Sequence, residues 1–212
     1  MSLPRRLALL DRAERNDIIV IEDDYDSEYR HVARPLEPLH RLDCNGRVIY
    51  VDTFSKTLSP ALRLGFAVLP DAMTADFLEL RELCDWQPAQ PQQAAMTRFI
   101  ADGHLGRHLR RTRRVYSERH LLVTEWLATA VSAGLLQAFT PTYAGLHITA
   151  WLPEGSDEAT VLERAGQAGL AVTELAPCWA SGPSVAGLVI GFGSIATDDL
   201  PEALRVLSQA LR

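Results

Sequence analysis

Lys56 lies in a short stretch rich in hydroxyl groups, and this setting suggests chemistry on a phosphorylated carbonyl compound. Hydroxyl side chains alternate around it at Thr53, Ser55, Thr57 and Ser59, and Arg63 follows. A lysine amine becomes nucleophilic near neutral pH when desolvation or a neighbouring cation lowers its pKa by about three units. Arg63 would supply that cation, and together with the hydroxyls it would hold a phosphate. The alternative interpretation is a surface lysine among turn-forming hydroxyls, which are common in loops.

A second group of polar side chains follows the apolar run 18–21. This group reads Glu22-Asp23-Asp24-Tyr25-Asp26. In open α/β sheets, ligands bind at the carboxyl ends of the strands. A carboxylate at this place would act as a base or as the partner of a cation. The alternative is an acidic group that caps a helix and borders a solvated turn, so both interpretations remain open at this point.

The elements that must position these groups alternate between helix and strand. The spacing predicts an amphipathic helix over 4–15, followed by a fully buried parallel strand over 18–21. Further strands are predicted over 47–52 and 64–69, which places Lys56 in the loop between them. Helices are predicted over 71–86, 92–101 and 105–131. This order is typical of an α/β fold.

After Gly134 the pattern changes to short strands. Strands are predicted over 135–139, 146–152, 171–175 and 188–192, with helices over 158–167 and 200–211. We expect a small α/β subdomain whose antiparallel sheet is covered by helices. The predicted domains are therefore 1–104 and 105–212, with the boundary inside the long helix.

Composition restricts the class of function. The chain has 212 residues, a net charge of −6 and a mean hydropathy of −0.02, which are ordinary values for a globular protein and unfavourable for collecting on nucleic acid or an anionic membrane. The three cysteines are dispersed and odd in number, which favours a reducing cytoplasmic location. The apolar run 7–10 is too short for a signal peptide or a membrane span.

The predicted long helix begins with many arginines. They are Arg107, Arg110, Arg111, Arg113, Arg114 and Arg119. One interpretation is a nucleic-acid-binding helix. The net charge favours the other, a solvated face whose arginines pair with carboxylates of a neighbouring element. His104 and His108 are spaced to share a helix face, but no third ligand accompanies them, so we predict no metal site.

The lysine loop and the acidic group make more sense together than apart. Pyridoxal 5'-phosphate (PLP) requires a lysine for a Schiff base, a carboxylate at the ring nitrogen, a donor to the phenolic oxygen and a phosphate cradle. The candidates for these roles are Asp23, Tyr25, Thr53, Ser55, Lys56 and Arg63.

Two motifs carry a family resemblance. IEDDYDSEYR and VIYVDTFSKTLSPALRLGFAVLP resemble fold-type I PLP enzymes of the aspartate aminotransferase superfamily, and more closely the aminotransferase-like domain of MocR-type regulators of the GntR family. The resemblance covers nearly the whole chain. It implies that Lys56 forms the aldimine, Asp23 contacts the pyridine nitrogen and Tyr25 bonds the phenolic oxygen. It also implies that Thr53, Ser55 and Arg63 lie at the phosphate, and Asp24 remains the competitor of Asp23.

The resemblance also implies an architecture. The chain corresponds to the second half of the PLP-binding large domain of fold type I, followed by a small α/β subdomain. In this family a winged-helix DNA-binding domain and the first half of the large domain come before such a segment. DNA would then be contacted only through that N-terminal domain. We also expect a homodimer, and a central sheet with an exposed edge and exposed apolar surface.

The substrate is the point where the motifs depart from the family. Many aminotransferases bind the substrate carboxylate with an arginine at the place that Val189 takes here, and Arg34 is an alternative carboxylate partner. The first hypothesis is the domain of a transcriptional regulator that senses PLP or a small amino compound through Lys56. The second is a catalytic class I/II aminotransferase, in which Lys56 also transfers a proton. The third is a truncated, non-catalytic module.

Overall fold

The computed structural model describes residues 1–25, 27–31, 37–86, 88–180 and 185–212. The chain forms two compact units. Unit 1 comprises Met1–Ser27 and Arg34–Leu109, and unit 2 comprises Glu28–Ala33 and Arg110–Arg212.

Unit 1 contains a three-stranded sheet and several helices. Its helices are α1 (Leu3–Arg15), α2 (Leu39–Leu42), α3 (Asp71–Asp85) and α4 (Gln90–Ala101), and its strands are β1 (Val20–Asp24), β2 (Val48–Thr53) and β3 (Gly65–Val68). The strand order is β1-β2-β3, with β1 parallel and β3 antiparallel to β2. Helix α5 (His104–Ser132) begins in unit 1 and ends in unit 2. The mixed α/β fold predicted from the sequence is confirmed.

Two carboxylates fix the chain on either side of α2. Glu22 accepts hydrogen bonds from the backbone N–H groups of Leu39 (2.7 Å) and His40 (2.9 Å), so its negative charge lies at the helix N-terminus. Asp43 accepts the N–H groups of Asn45, Arg47 and Val48 in the turn that leads into β2. Partial burial acts to raise the pKa of the Asp43 carboxyl, but these N–H donors outweigh it and hold that pKa below its ordinary value. The bonds fix the start of β2.

Strand β1 differs from the prediction in position and in burial. It runs to Asp24, so Ile18 and Ile19 precede it and the acidic residues lie within it. The prediction of a fully buried strand was wrong, since 67% of Ile21 is exposed. Strand β3 is exposed along its length, and α3 has no buried residue. A strand face becomes buried only when another layer packs on it, and none of the residues described here covers these faces.

Unit 2 is an antiparallel sheet covered by helices, as predicted. Its strands are β4 (Ala138–Phe139), β5 (His147–Trp151), β6 (Thr173–Glu174) and β7 (Gly187–Gly191), and its further helices are α6 (Glu158–Gln167) and α7 (Leu200–Ala210). The strand order is β4-β5-β7-β6. The core combines the second half of α5 with the sheet and with α7, through Val123, Leu127, Ile148, Leu188, Phe192 and Leu204 among others. Burial of these side chains is the main source of stability in unit 2.

Residues 28–31, which follow the first part of unit 1 in the sequence, belong to unit 2. Tyr29 is 1% exposed, and its ring meets that of Tyr116 edge-on, with centroids 4.7 Å apart. Arg30 forms an isolated antiparallel bridge with Ala144. His31 donates its backbone N–H to the Tyr143 carbonyl (2.9 Å). These contacts join residues 28–31 to unit 2.

Three arginines of α5 bind backbone carbonyls. Arg107 Nη2 donates to the Asp102 carbonyl (3.1 Å), and Arg113 Nε donates to the Glu28 carbonyl (2.6 Å). Arg119 binds the carbonyls of Phe192 and Gly193. Among the residues with described positions, no ion pair includes an arginine of this helix. The three arginines with described contacts therefore bind backbone carbonyls in place of the predicted carboxylates.

All three cysteines are free and exposed thiols. Within the described ranges, no helix combines the length and the apolar character that crossing a bilayer requires.

Candidate functional site

Three chain segments converge at one edge of the unit 1 sheet. Because β1 and β2 are parallel, their carboxyl ends lie together, and the antiparallel β3 begins at the same edge. In register, Asp23 lies beside Val51, and Thr53 lies beside Gly65. The residues predicted for the site lie at these strand ends or close to them in sequence: Asp23, Tyr25, Thr53, Ser55, Lys56 and Arg63. The topology therefore brings all six to one edge, while their individual roles stay predictions.

The two candidate carboxylates have different surroundings. Asp24 accepts hydrogen bonds from the Ser27 N–H (3.3 Å), the Ser27 hydroxyl (2.7 Å) and the Tyr50 hydroxyl (3.1 Å). Asp23 points to the other face, because side chains alternate along a strand. It is exposed and makes no hydrogen bond or ion pair with the described part of the chain. Asp23 is thus the carboxylate available to a ligand.

The lysine loop is closed at its base and turned around Lys56. The Phe54 N–H donates to the Leu64 carbonyl (3.1 Å), which joins the two ends of the loop. The Phe54 carbonyl accepts the N–H groups of Leu58 (2.9 Å) and Ser59 (3.3 Å), so the chain makes one helical turn there. The Lys56 side chain is exposed on this turn. Lys56 is also the only lysine in the whole sequence.

The hydroxyls predicted at the phosphate lie next to each other. Thr53 Oγ1 accepts the Ser55 N–H (3.1 Å) and lies 2.9 Å from Ser55 Oγ. Thr53 Oγ1 is also 3.3 Å from the Leu64 carbonyl, at the base of the loop. Both side chains are half-buried. A pair of hydroxyls in this arrangement can turn its protons toward an anion.

Arg63 is held in a rare backbone conformation. Its φ is 50° and its ψ is 40°, which is the left-handed region that glycine adopts most easily. Its guanidinium is exposed and forms no ion pair with any residue in the described ranges. Gly65 follows shortly after, where a Cβ would lie 2.7 Å from the Asp52 carbonyl oxygen. A side chain at position 65 would collide with the backbone, so the start of β3 requires glycine there. Position 63 accommodates an arginine despite its positive φ.

An open groove of about 1040 Å³ takes in part of this site. Thr53 and Arg63 line it together with Arg81 of α3. Asp23, Tyr25 and Lys56 do not belong to its lining. The structure thus collects two of the three phosphate candidates in one cavity, while Ser55, the carboxylate, the phenol and the amine lie outside its lining along the same sheet edge.

His108 is a contact of the lysine loop that the sequence analysis missed. Its Nε2 lies 2.7 Å from the carbonyl oxygen of Thr57, the residue after Lys56. From its spacing alone, His108 is a candidate only for a metal ligand beside His104. A half-buried histidine in a run of arginines gives no sequence signal for a bond to a loop 51 residues away.

These side chains fit PLP. The available Asp23 carboxylate matches a protonated pyridine nitrogen, and the unpaired Arg63 guanidinium beside a hydroxyl pair matches a phosphate. The exposed Lys56 amine matches an aldehyde. The donor set therefore agrees with the cofactor that the resemblance implies.

Comparison with known proteins finds relatives among regulators and aminotransferases. None of the protein-family models matches the chain. It is 33% identical over 210 residues to the probable rhizopine catabolism regulatory protein MocR of Rhizobium meliloti, and 34% identical over 212 residues to the HTH-type pyridoxine biosynthesis transcriptional regulator PdxR of Corynebacterium glutamicum. Each match covers 99% of this chain. Over its whole length the chain is similar to the corresponding part of these MocR-type regulators. It spans 42% of the first relative and 45% of the second.

A solved structure confirms the fold of this chain. It is the kynurenine aminotransferase of Pyrococcus horikoshii in complex with PMP, which superposes with a TM-score of 0.85 at 28% identity. The match covers 100% of this chain and 52% of that protein. The prediction of a partial fold-type I transferase is thereby confirmed.

Val189 lies inside the unit 2 sheet. It is in β7, between Thr149 of β5 and Thr173 of β6, and it is half-buried. A valine there offers no charge to a substrate carboxylate. The alternative partner, Arg34, lies outside the residues that the structure describes.

Proposed function

We propose that this MocR-type domain binds PLP through the Lys56 amine and senses PLP or a small amino compound as part of a transcriptional regulator. The observation that carries the proposal is the position of the only lysine of the chain. It lies at the sheet edge where an available carboxylate, a hydroxyl pair and an unpaired guanidinium also lie. The similarity to MocR and PdxR supports the regulatory part.

Each side chain would have a separate task. When bound, the cofactor supplies an aldehyde that condenses with amines and a ring that accepts electrons. Lys56 would hold the cofactor covalently through its amine, and an incoming amine would compete with Lys56 for the aldehyde. Asp23 keeps a proton on the ring nitrogen, and Tyr25 donates its hydroxyl to the phenolic oxygen. Thr53, Ser55 and Arg63 bind the phosphate.

A catalytic aminotransferase is the second candidate. The similarity to the kynurenine aminotransferase of Pyrococcus horikoshii favours it. Lys56 would then also accept and return the proton of the substrate α-carbon. Val189 argues against the usual recognition of an amino-acid carboxylate, because that recognition depends on a bidentate arginine. The regulator is therefore our first choice.

The assembly and location belong to the same proposal. We propose a homodimer in the cytoplasm, with DNA bound by an N-terminal domain and not by this segment. The exposed apolar side chains of β3 and α3 support an association, because patches of this kind are usual at protein interfaces. They include Phe66, Val68, Phe77, Leu78, Leu80 and Leu83.

The experiment is a titration of the purified chain with PLP, beside a Lys56→Ala variant. We expect a saturable visible band that the variant lacks. After borohydride reduction, mass spectrometry should find the added mass on the peptide that contains Lys56. No band with protein that is folded by circular dichroism, or an equal band in the variant, would refute cofactor binding through Lys56.

The same sample separates the two candidate functions. Amino compounds are added one at a time, and the band and the release of a keto product are followed. A spectral change without product supports sensing. Repeated turnover of an amino donor would support the catalytic aminotransferase and contradict a purely sensing role.

A further inference from the structure

We propose that His108 is a positioning residue for the lysine loop, through a hydrogen bond that it donates to the backbone next to Lys56. The proposal rests on the proposed function, in which Lys56 is the reacting amine. The described hydrogen bond of His108 goes to the backbone, so its effect is on the direction in which the amine leaves the loop.

The bond joins two distant parts of unit 1. His108 Nε2 lies 2.7 Å from the Thr57 carbonyl oxygen, across 51 positions of sequence. A carbonyl oxygen only accepts hydrogen bonds, so Nε2 must carry the proton. The partner therefore selects the tautomer of His108. Because α5 is a long regular helix, it provides a rigid base for this donor.

The place of the bond in the loop explains its effect. The turn around Lys56 is closed by the Phe54 carbonyl, which accepts from Leu58 and Ser59. The carbonyls at the end of such a turn have no partner inside it. The His108 ring satisfies the Thr57 carbonyl, which directly follows Lys56. Fixing that peptide plane restricts the backbone of the lysine and hence the direction of its side chain.

His104 offers a matched control on the same helix. It lies one turn before His108, so the two histidines share a face. Its Nδ1 is 2.9 Å from Arg107 Nη2, and its ring stacks on that of Phe99 with centroids 5.4 Å apart. No hydrogen bond in the described ranges joins His104 to the lysine loop. The same substitution at His104 therefore removes an imidazole from α5 without touching the loop.

The test uses His108→Leu, His108→Gln and His104→Leu in the full chain. The glutamine amide reaches about as far as Nε2 and restores a donor. The first measurement is the PLP affinity from the visible band. We expect His108→Leu to weaken it about three- to tenfold, as for one lost hydrogen bond, while His108→Gln and His104→Leu stay near the wild-type value. Equal affinities for the two leucine variants would overturn the proposal.

The second measurement needs no cofactor. Amide hydrogen exchange at Leu58 and Ser59 should become faster in His108→Leu, and remain as in the wild type in the other two variants. Faster exchange throughout unit 1 would make His108 a general stabilising residue and would overturn the positioning role. If the wild-type chain itself shows no band with PLP, the proposed function fails, and the exchange data still decide whether His108 orders the lysine loop.

Discussion

Asp23 and Asp24 are consecutive residues of β1, and their carboxylates lie on opposite faces of the unit 1 sheet. Asp24 is bound by Ser27 and by the Tyr50 hydroxyl, whereas Asp23 is exposed. One carboxylate therefore holds the fold, and the other faces the medium in which a ligand arrives. The resemblance to aminotransferases left the choice between them open, and the hydrogen bonds favour Asp23 as the ligand carboxylate.

The two aspartates should respond differently to the same substitution. Asp23→Asn should weaken PLP binding about tenfold or more, because a charge-assisted hydrogen bond to the ring nitrogen is lost. Its free energy of unfolding should change by less than about 0.5 kcal/mol. Asp24→Asn should cost about 1 to 2 kcal/mol of stability, since it weakens the turn to Ser27. Cofactor titration and urea unfolding of both variants measure this, and the opposite order of effects would assign the site to Asp24.

Arg63 combines backbone strain with a proposed phosphate contact, and two substitutions separate them. Arg63→Ala removes the guanidinium and keeps a Cβ at φ 50°, while Arg63→Gly also removes the Cβ. We expect both variants to bind PLP about tenfold more weakly. Only the glycine variant should gain stability, by about 0.5 to 1 kcal/mol, because a non-glycine residue is strained in the left-handed region. Urea unfolding decides, and equal stability of the two variants would show that the strain is absent.

The stacked rings of His31 and His120 predict a dependence of unit 2 stability on pH. Their centroids are 4.1 Å apart and their planes differ by 10°. Burial lowers the pKa of His120 from its ordinary value, and the neighbouring His31 lowers it further, against a smaller opposing effect of Thr142. The unfolded chain then binds a proton at His120 more readily than the folded chain. Stability should be constant above about pH 7 and should fall as the pH drops through about 6.5, the pKa of an unfolded histidine.

Urea unfolding between pH 8 and pH 5 measures this dependence. His120→Phe keeps an aromatic ring beside His31 and cannot titrate, so its stability should fall less over the same interval. The same substitution at the exposed His147 serves as the control and should leave the wild-type slope. An unchanged slope in His120→Phe would place the titration on another group.

Local patterns predicted the strands that carry the lysine loop. Strands β2 and β3 lie within one residue of the predicted ranges. Turn residues mark their limits, since Asn45-Gly46 precedes the first apolar run and Pro70 follows the second. Strand β1 was placed too early, since consecutive acidic residues are unfavourable in strands. Its pairing with β2 continues to Asp24 beside Asp52, so the neighbouring strand decided its end.

Contacts over long sequence distances were beyond local patterns. The alternation of a strand says that Asp23 and Asp24 face apart, but not which of them meets Tyr50. The bond from His108 to the lysine loop depends on how α5 packs in unit 1, and the joining of Tyr29 to unit 2 depends on Tyr116. Tertiary packing determines these contacts, and the spacing of residues in a single sequence does not reveal it.

The exposed position of Lys56, with no second lysine in the chain, affects how the protein can be handled. Reagents that couple to primary amines, including those used on many biosensor chips, will react with Lys56 or with the α-amine, because no other side chain carries a primary amine. After such coupling, a large fraction of the molecules would be attached to the chip through Lys56, the residue proposed to bind the ligand. A C-terminal tag or a thiol linkage leaves Lys56 chemically unmodified, and the same selectivity makes it a suitable place for a single fluorescent label.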